Sequence, residues 1–101
     1  MPNFVKVAKI ADLLPGENKV VSANGEDVAL FNVSGQFYAI ANTCPHRGGS
    51  LGEGYLEGDV VTCPLHGWQF DVKTGDNIMM PAKVSSYQVK IEGEDILVSI
   101  D

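Results

Sequence analysis

The sequence contains no long apolar run and no sign of an export signal. No stretch of its 101 residues approaches the roughly 18 consecutive apolar residues of a membrane-spanning helix. The first residues, MPNFVKVAKIADLL, have neither a continuous apolar core nor a small-residue cleavage site. We therefore expect a cytoplasmic protein without a membrane partner.

Basic residues are also few. Seven Lys and Arg residues are scattered among 13 Asp and Glu residues, which gives a formal net charge of −6 at pH 7. Binding to a nucleic-acid backbone requires clustered positive charge, so no nucleic-acid partner is expected. An acidic surface is typical of a soluble protein, and it also suits docking onto a basic protein.

Long amphipathic helices are absent as well. The apolar segments are short, rich in β-branched and aromatic residues, and interrupted by glycine-containing turns, which is the pattern of antiparallel β-structure. The predicted strands span residues 4–10, 19–23, 27–33, 36–41, 86–93 and 95–100. Asn24-Gly25 and Ser34-Gly35 predict tight hairpins, and a single helical turn is predicted near residues 11–14. The fold class is therefore all-β, a small antiparallel β-sandwich.

The middle of the chain differs from its two ends. Residues 42–81 hold seven of the eleven glycines and every Cys and His of the sequence. A short hairpin at 55–62, turning at Gly58-Asp59, separates two Cys-His segments and brings them close in space. We interpret 1–101 as one domain, with a subdomain at about 42–81 inserted into the sandwich and presenting two loops on short hairpins.

The two loops share a Thr-Cys-Pro opening, and each pairs one cysteine with one histidine. The pattern is C-P-H at Cys44 and His46, followed after sixteen residues by C-P-L-H at Cys63 and His66. Unrelated buried residues would not fall into matching motifs, and a disulfide would leave both histidines unexplained. A structural zinc ion accepts two Cys and two His, although its cysteines usually lie about two to four residues apart on one turn. A cluster of two metal ions explains why each loop has one cysteine and one histidine, because each loop then gives one ligand to each metal.

The motifs C-x-H and C-x-x-H, within the longer stretches CPHRGGSL and CPLHGWQFDVKTG, resemble those of the Rieske [2Fe-2S] proteins. The resemblance covers most of the chain, including the order of the strands. It implies one [2Fe-2S] cluster per chain, with Cys44 and Cys63 on one iron and His46 and His66 on the other. Two neutral imidazoles in place of two thiolates raise the reduction potential above that of all-cysteine ferredoxins.

Four positions differ from the respiratory branch of that family. Gly49 and Leu65 stand where that branch has two additional cysteines. Trp68 and Phe70 stand where it has a Ser and a Tyr that donate hydrogen bonds to the cluster. The resemblance therefore implies a low-potential protein of the soluble branch, near the lower end of roughly −150 to +300 mV.

Other residues near the loops are predicted to shape the site. Gly48, Gly49 and Gly67 are expected to adopt positive φ and to direct N–H groups at the cluster. Trp68 is expected to pack in the core, and Pro81 resembles the third loop that covers the cluster in the family. Three acidic residues are expected either to bias docking or to be simply solvated: Glu53, Glu57 and Asp59.

The resemblance implies an electron carrier and not an enzyme, since the sequence offers no nucleophile–base pair and no flavin or nucleotide motif. The sequence is similar to the Rieske ferredoxins of bacterial ring-hydroxylating dioxygenases. This implies a flavin-containing NAD(P)H-dependent reductase as electron donor and a terminal oxygenase as acceptor. We expect a monomer. Two alternatives remain: the small Rieske subunit of a nitrite-reductase-like complex, and a zinc-stabilised interaction module without a redox role.

Overall fold

The computed structural model describes residues 3–45, 48–65 and 67–99. Nine strands and two short 3₁₀ turns occupy these ranges, and the strand pairs are antiparallel. The strands are β1 (Phe4–Lys9), β2 (Asn18–Ala23), β3 (Glu26–Val33), β4 (Gln36–Ala41), β5 (Tyr55–Glu57), β6 (Val60–Thr62), β7 (Gln69–Asp71), β8 (Ser86–Glu92) and β9 (Asp95–Ser99). The 3₁₀ turns lie at Ile10–Asp12 and Leu51–Glu53. The all-β prediction is confirmed, and no helix in the described ranges is long and apolar enough to cross a membrane.

The larger sheet has six strands in the order β1-β9-β8-β4-β3-β2. Its two edge strands, β1 and β2, come into contact, so the sheet folds over on itself and encloses a first core. The buried residues of this first core are Ala8, Leu13, Val21, Ala23, Val28, Leu30, Ala39, Ile96 and Val98. This folded sheet is the predicted small sandwich.

Strand β3 is buried on both faces. Val28 and Leu30 lie in the first core, whereas Ala29 and Phe31 belong to a second core on the opposite face. Successive side chains of a strand point to opposite faces. A strand that is covered on both sides therefore needs a continuous apolar run, which VALF provides within β3.

Two hairpins of the sandwich form at the predicted dipeptides. Asn24 and Gly25 have φ of 51° and 84°, and Ser34 and Gly35 have φ of 52° and 92°. Positive φ at both central residues is the signature of the type I′ turn, whose twist matches that of the flanking strands. The strands of the sandwich accordingly begin and end within one residue of their predicted limits across the described ranges.

A second sheet of three strands, in the order β5-β6-β7, is inserted between β4 and β8. The chain leaves the sandwich and returns to it on neighbouring strands, since Ile40 pairs with Ser86 and the Ala41 N–H donates to the Ser85 carbonyl at 2.8 Å. This insertion agrees with the predicted fold. The sequence does not predict β7 or the 3₁₀ turn at Leu51–Glu53. Three residues carry too little periodicity to be recognised, and neither element is flanked by a hairpin turn signal such as the Gly58-Asp59 that joins β5 and β6.

Candidate metal centre

Two loops of six residues each carry the predicted ligands. The first loop comprises residues 44–49 and is closed by an antiparallel bridge between Thr43 and Ser50. The second loop comprises residues 63–68 and is closed by the pairing of Thr62 with Gln69, at the ends of β6 and β7. Equal lengths and equal closure make the two loops structural counterparts.

The two loops also have matching backbone hydrogen bonds. In each, the N–H of the cysteine donates to the carbonyl of the sixth residue, and the N–H of the glycine at the fifth position donates back to the cysteine carbonyl. The distances are 2.8 and 2.8 Å in the first loop and 2.7 and 3.0 Å in the second. The two glycines, Gly48 and Gly67, have φ of 72° and 75°, as predicted. Side chains disfavour this φ, so a glycine at the fifth position lets the same turn form twice.

Cys44 and Cys63 lie in the second core, and each is only 1% exposed. Both are thiols and are not joined in a disulfide. The other buried residues of this core are Ala29, Phe31, Ile40, Leu51, Val61, Phe70, Val72 and Val84. The predicted ligands His46 and His66 lie outside the described residues. Within those residues the structure brings together the two cysteines, and it forms no group of three His, Cys, Asp or Glu side chains suited to a metal ion.

Gly49 has a different role from the predicted one. It does not adopt positive φ, so the expectation for this glycine is wrong. It is buried instead, and a Cβ at this position would lie 2.6 Å from Cys63 Sγ and 3.2 Å from Leu65 Cγ. The backbone of the first loop therefore approaches the second loop so closely that only glycine leaves room for the sulfur of Cys63.

Asn42 joins the two ends of the first loop, a role that the sequence does not reveal. Its Oδ1 accepts a hydrogen bond from the Gly52 N–H at 2.7 Å, and its Nδ2 donates to Ser50 Oγ at 3.1 Å. Its backbone carbonyl accepts from the Leu51 N–H at 2.8 Å. An asparagine beside a loop is common turn chemistry, so nothing in the sequence distinguishes this one.

The second loop is fixed by aromatic packing. Trp68 is half-buried and packs against the second core, in agreement with the prediction. Its ring lies 6.4 Å from that of Phe70, at an interplanar angle of 45°. Phe70 is fully buried in the core that contains both cysteines. The aromatic pair thus excludes water from one side of the site.

Exposed apolar side chains gather on the second loop and on the segment that follows β7. They are Leu65, Ile78, Met79 and Met80, of which Met79 is 77% exposed. The Ile78 N–H donates to the Gln69 carbonyl at 3.1 Å, which holds this segment against the end of the second loop. We call these four residues the apolar rim. Pro81 is exposed in the same segment.

The three acidic residues near the loops are not equivalent. Asp59 lies 3.4 Å from Lys73 Nζ in a surface ion pair. Glu53 and Glu57 are exposed on either side of Tyr55, which is itself 70% exposed. Asp59 is therefore paired with a lysine, whereas within the described ranges no cationic side chain forms an ion pair with Glu53 or Glu57.

Comparison with known proteins identifies the family of the chain. The sequence matches the Rieske [2Fe-2S] domain over residues 3–98. It is 42% identical over 100 residues to the ferredoxin component of biphenyl 2,3-dioxygenase from Rhodococcus jostii (strain RHA1), which covers 97% of this chain and 94% of that protein. The chain belongs to the Rieske [2Fe-2S] family.

Solved structures extend the likeness to three dimensions. The ferredoxin of carbazole 1,9a-dioxygenase from Nocardioides aromaticivorans IC177 has a TM-score of 0.90 and 31% identity, with 98% of this chain and 99% of that chain covered. A structure of a complex of reduced oxygenase and oxidised ferredoxin in carbazole 1,9a-dioxygenase has a TM-score of 0.87 and 34% identity, with 95% and 92% covered. These proteins share the fold over nearly the whole chain.

A Rieske domain holds one [2Fe-2S] cluster, and the chain's described residues fit that cofactor. Two buried thiols sit on counterpart loops, which suits thiolate coordination to iron. Gly49 leaves space beside the sulfur of Cys63 that any other residue would fill. The surrounding core is apolar, and solvent exclusion of this kind controls the reduction potential of an iron–sulfur centre.

Proposed function

We propose that Cys44, Cys63, His46 and His66 are the four ligands of the cluster, with the cysteines on one iron and the histidines on the other. The observation that carries the proposal is the repetition of one hydrogen-bonded loop, with a buried cysteine at its first position each time. Two counterpart loops that each give one thiolate and one imidazole suit a centre of two metal ions. The spacing of the two motifs supports the histidines.

The protein is a one-electron carrier. The cluster, when bound, supplies a centre that takes up and releases one electron. The chain itself keeps both thiols in dry surroundings and holds the two loops at a fixed separation, which Gly49 sets through its contact with Cys63. Fixed ligands limit the rearrangement that accompanies a change of charge. The protein is a component of an oxidoreductase system and not itself an enzyme.

The electron acceptor is the terminal oxygenase of a ring-hydroxylating system, and the donor is a flavin-containing NAD(P)H-dependent reductase. The similar proteins are named as ferredoxin components of dioxygenases, and one similar ferredoxin is seen in complex with its oxygenase. We place the protein in the cytoplasm as a monomer, with 1–101 acting as one domain and 42–81 as its cluster-binding subdomain.

The apolar rim supplies the surface on which the oxygenase docks. Clustered apolar side chains in water mark interaction sites. The flexible side chains of Met79 and Met80 adapt to the shape of a partner. The exposed carboxylates of Glu53 and Glu57 add a salt-dependent attraction to a basic partner, which acts on the rate of association more than on affinity.

The test is spectroscopic and kinetic. Protein purified without oxygen is assayed for iron, labile sulfide and zinc, and its electron paramagnetic resonance spectrum is recorded after reduction by dithionite. The reduced protein is then mixed with the oxidised terminal oxygenase of a biphenyl dioxygenase, and electron transfer is followed by stopped-flow absorbance. Two irons and two sulfides per chain with rapid oxidation by the oxygenase are expected.

Each other outcome points to a different protein. A colourless protein with one zinc ion overturns the electron-transfer function in favour of an interaction module. A loaded cluster that reduces an NAD(P)H-dependent nitrite reductase but not the oxygenase overturns the dioxygenase assignment and favours the nitrite-reductase-like alternative.

A further inference from the structure

Asn77 has a buried amide group whose nitrogen lacks a hydrogen-bond partner. The residue is only 8% exposed. Its Oδ1 accepts hydrogen bonds from the Met79 N–H at 2.8 Å and the Met80 N–H at 3.2 Å. Among the described residues, Asn77 Nδ2 and Ser99 Oγ are the two buried side-chain atoms without a partner. A buried donor without an acceptor is costly, so each such group in a folded protein requires an explanation.

The orientation of the Asn77 amide is determined by its neighbours. The two backbone N–H groups of Met79 and Met80 are donors, so the atom that faces them must be the oxygen. Exchanging the oxygen and nitrogen would set the NH₂ group against two donors. The unpartnered atom is therefore the amide nitrogen, with N–H groups available to an acceptor.

The backbone places this donor beside the core of the site. Asn77 forms an antiparallel bridge with Phe70. Directly opposed residues of antiparallel strands project their side chains from the same face. Phe70 is fully buried in the core that contains Cys44 and Cys63. The Asn77 side chain thus lies on the face of the second sheet that covers the two cysteines.

We propose that Asn77 Nδ2 donates a hydrogen bond to a sulfur atom at the cluster site and thereby stabilises the reduced protein. This inference rests on the proposed function. The core that Phe70 shares with the two cysteines is chiefly apolar and offers few acceptors, whereas thiolate and sulfide atoms carry negative charge. One added electron increases that charge, so the hydrogen bond is stronger in the reduced state and the reduction potential rises.

Asn77 also has a structural role, because its Oδ1 accepts hydrogen bonds from the Met79 and Met80 N–H groups and so holds the segment of the apolar rim. The test must therefore separate a direct effect on the cluster from a loosened segment. Leu is close to Asn in shape but has neither donor nor acceptor. In Asn77→Leu we expect the equilibrium constant for reduction to fall by up to about tenfold, which corresponds to about 59 mV for one electron.

A direct readout accompanies the potential. Protein labelled with nitrogen-15 at the asparagine side-chain amides is reduced, and pulsed electron paramagnetic resonance is used to detect labelled nitrogen near the unpaired spin. The expected result is a weak nitrogen-15 coupling in the unsubstituted protein that Asn77→Leu abolishes. Because Asn42 is also labelled and braces the first loop, the loss of the coupling on substitution is what assigns it to Asn77. Asn77→Ala serves the same purpose where the leucine variant does not fold.

Two control variants sharpen the test. Ser99→Ala removes the other unpartnered polar atom, which lies on β9, and should leave the potential unchanged. Asn32→Leu removes a buried asparagine in the sandwich, whose Nδ2 donates to the Leu13 carbonyl and whose Oδ1 accepts from the Gly35 N–H, and should lower stability with little change in potential. An iron-loaded protein with no nitrogen-15 coupling overturns the inference, as does an equal fall in potential in Asn32→Leu. A protein without iron instead overturns the proposed function.

Discussion

The first and the second loop are alike in length, opening residues and hydrogen bonds, but they end differently. The sixth residue is Gly49 in the first loop and Trp68 in the second. Gly49 is buried against Cys63 Sγ, whereas Trp68 is half-buried and packs on Phe70. The carbonyl of each accepts the same hydrogen bond from its own cysteine. The same backbone structure thus has the smallest residue at its sixth position in the first loop and the largest in the second.

The difference follows from what lies next to each loop. The backbone at Gly49 meets the sulfur and the Leu65 side chain of the other loop, so space is the constraint there. The second loop is covered by the second core on the side of Trp68, so a large apolar surface is needed to keep that side dry. The two loops share a backbone structure because each must present a cysteine. They differ at the sixth residue because Gly49 lies between the two loops, whereas Trp68 covers the outside of the second loop.

The strongest test of the likeness is removal of either sulfur. We expect Cys44→Ser and Cys63→Ser each to lose essentially all iron, because the two loops make equivalent contributions to one centre. Iron and sulfide per chain, measured after anaerobic purification, check this. Thr43→Ser and Thr62→Ser, at the residues that precede the two cysteines, should retain the cluster. A fully loaded Cys44→Ser protein beside an empty Cys63→Ser protein would show that the loops are not equivalent.

Gly49→Ala tests whether the first loop is limited by space. The added Cβ would lie 2.6 Å from Cys63 Sγ, and such overpacking costs up to about 3 kcal/mol of unfolding free energy. At Gly48 and Gly67 no atom of the residues that the structure describes lies within 4 Å of the added Cβ, so the expected cost of alanine there is that of the positive φ, about 1 kcal/mol each. Urea unfolding of the three variants measures the difference. Equal losses in all three would mean that φ, and not contact with the sulfur, governs Gly49.

Trp68→Ala makes the sixth residue of the second loop nearly as small as that of the first. Full burial of a large aromatic ring is worth about 3–5 kcal/mol, so a half-buried one should contribute about 2 kcal/mol. Trp68→Phe keeps an aromatic ring next to Phe70 and should cost less than about 1 kcal/mol. Circular dichroism should be used to monitor the urea unfolding. Trp68 is the one tryptophan of the sequence, so both variants lack tryptophan fluorescence as a signal. An unchanged unfolding free energy in Trp68→Ala would contradict the role of Trp68 in covering the second loop.

The sandwich and half of the site could be predicted from the sequence. Asn24-Gly25 and Ser34-Gly35 determine their own turns through positive φ, so local chemistry fixes the hairpins. Gly48 and Gly67 were likewise recognisable, because their role is local to one loop. Both cysteines lie in the second core, while the roles of Cys44, Cys63, His46 and His66 as ligands stay predictions.

The remaining features depend on contacts between segments that are distant in sequence. Gly49 faces Cys63, and no local pattern reveals a contact across fourteen positions. Asn77 is buried because it is opposite Phe70 on a strand of three residues, too short to be recognised from its periodicity. Sequence reasoning thus succeeds at Gly48 and Gly67, whose role is in the turn of their own loop, and it fails at Gly49 and Asn77, whose roles depend on a segment distant in sequence.

The bases of the two loops give the smallest predicted effect. Thr62, at the base of the second loop, accepts a hydrogen bond from Gln69 Nε2, whereas Thr43, at the base of the first, borders a cleft shared with Tyr87.

Burial, and secondarily the Glu26 carboxylate, raise the pKa of Tyr87, while a hydrogen bond with Ser85 opposes them. The folded protein therefore holds the phenol proton more tightly than the unfolded chain does. This stabilisation is complete below the ordinary tyrosine pKa and is lost as pH rises through the higher folded value. Tyr87→Phe should make the unfolding free energy less dependent on pH above about pH 9, as measured by urea unfolding, and an unchanged slope would show that folding does not raise the pKa of Tyr87.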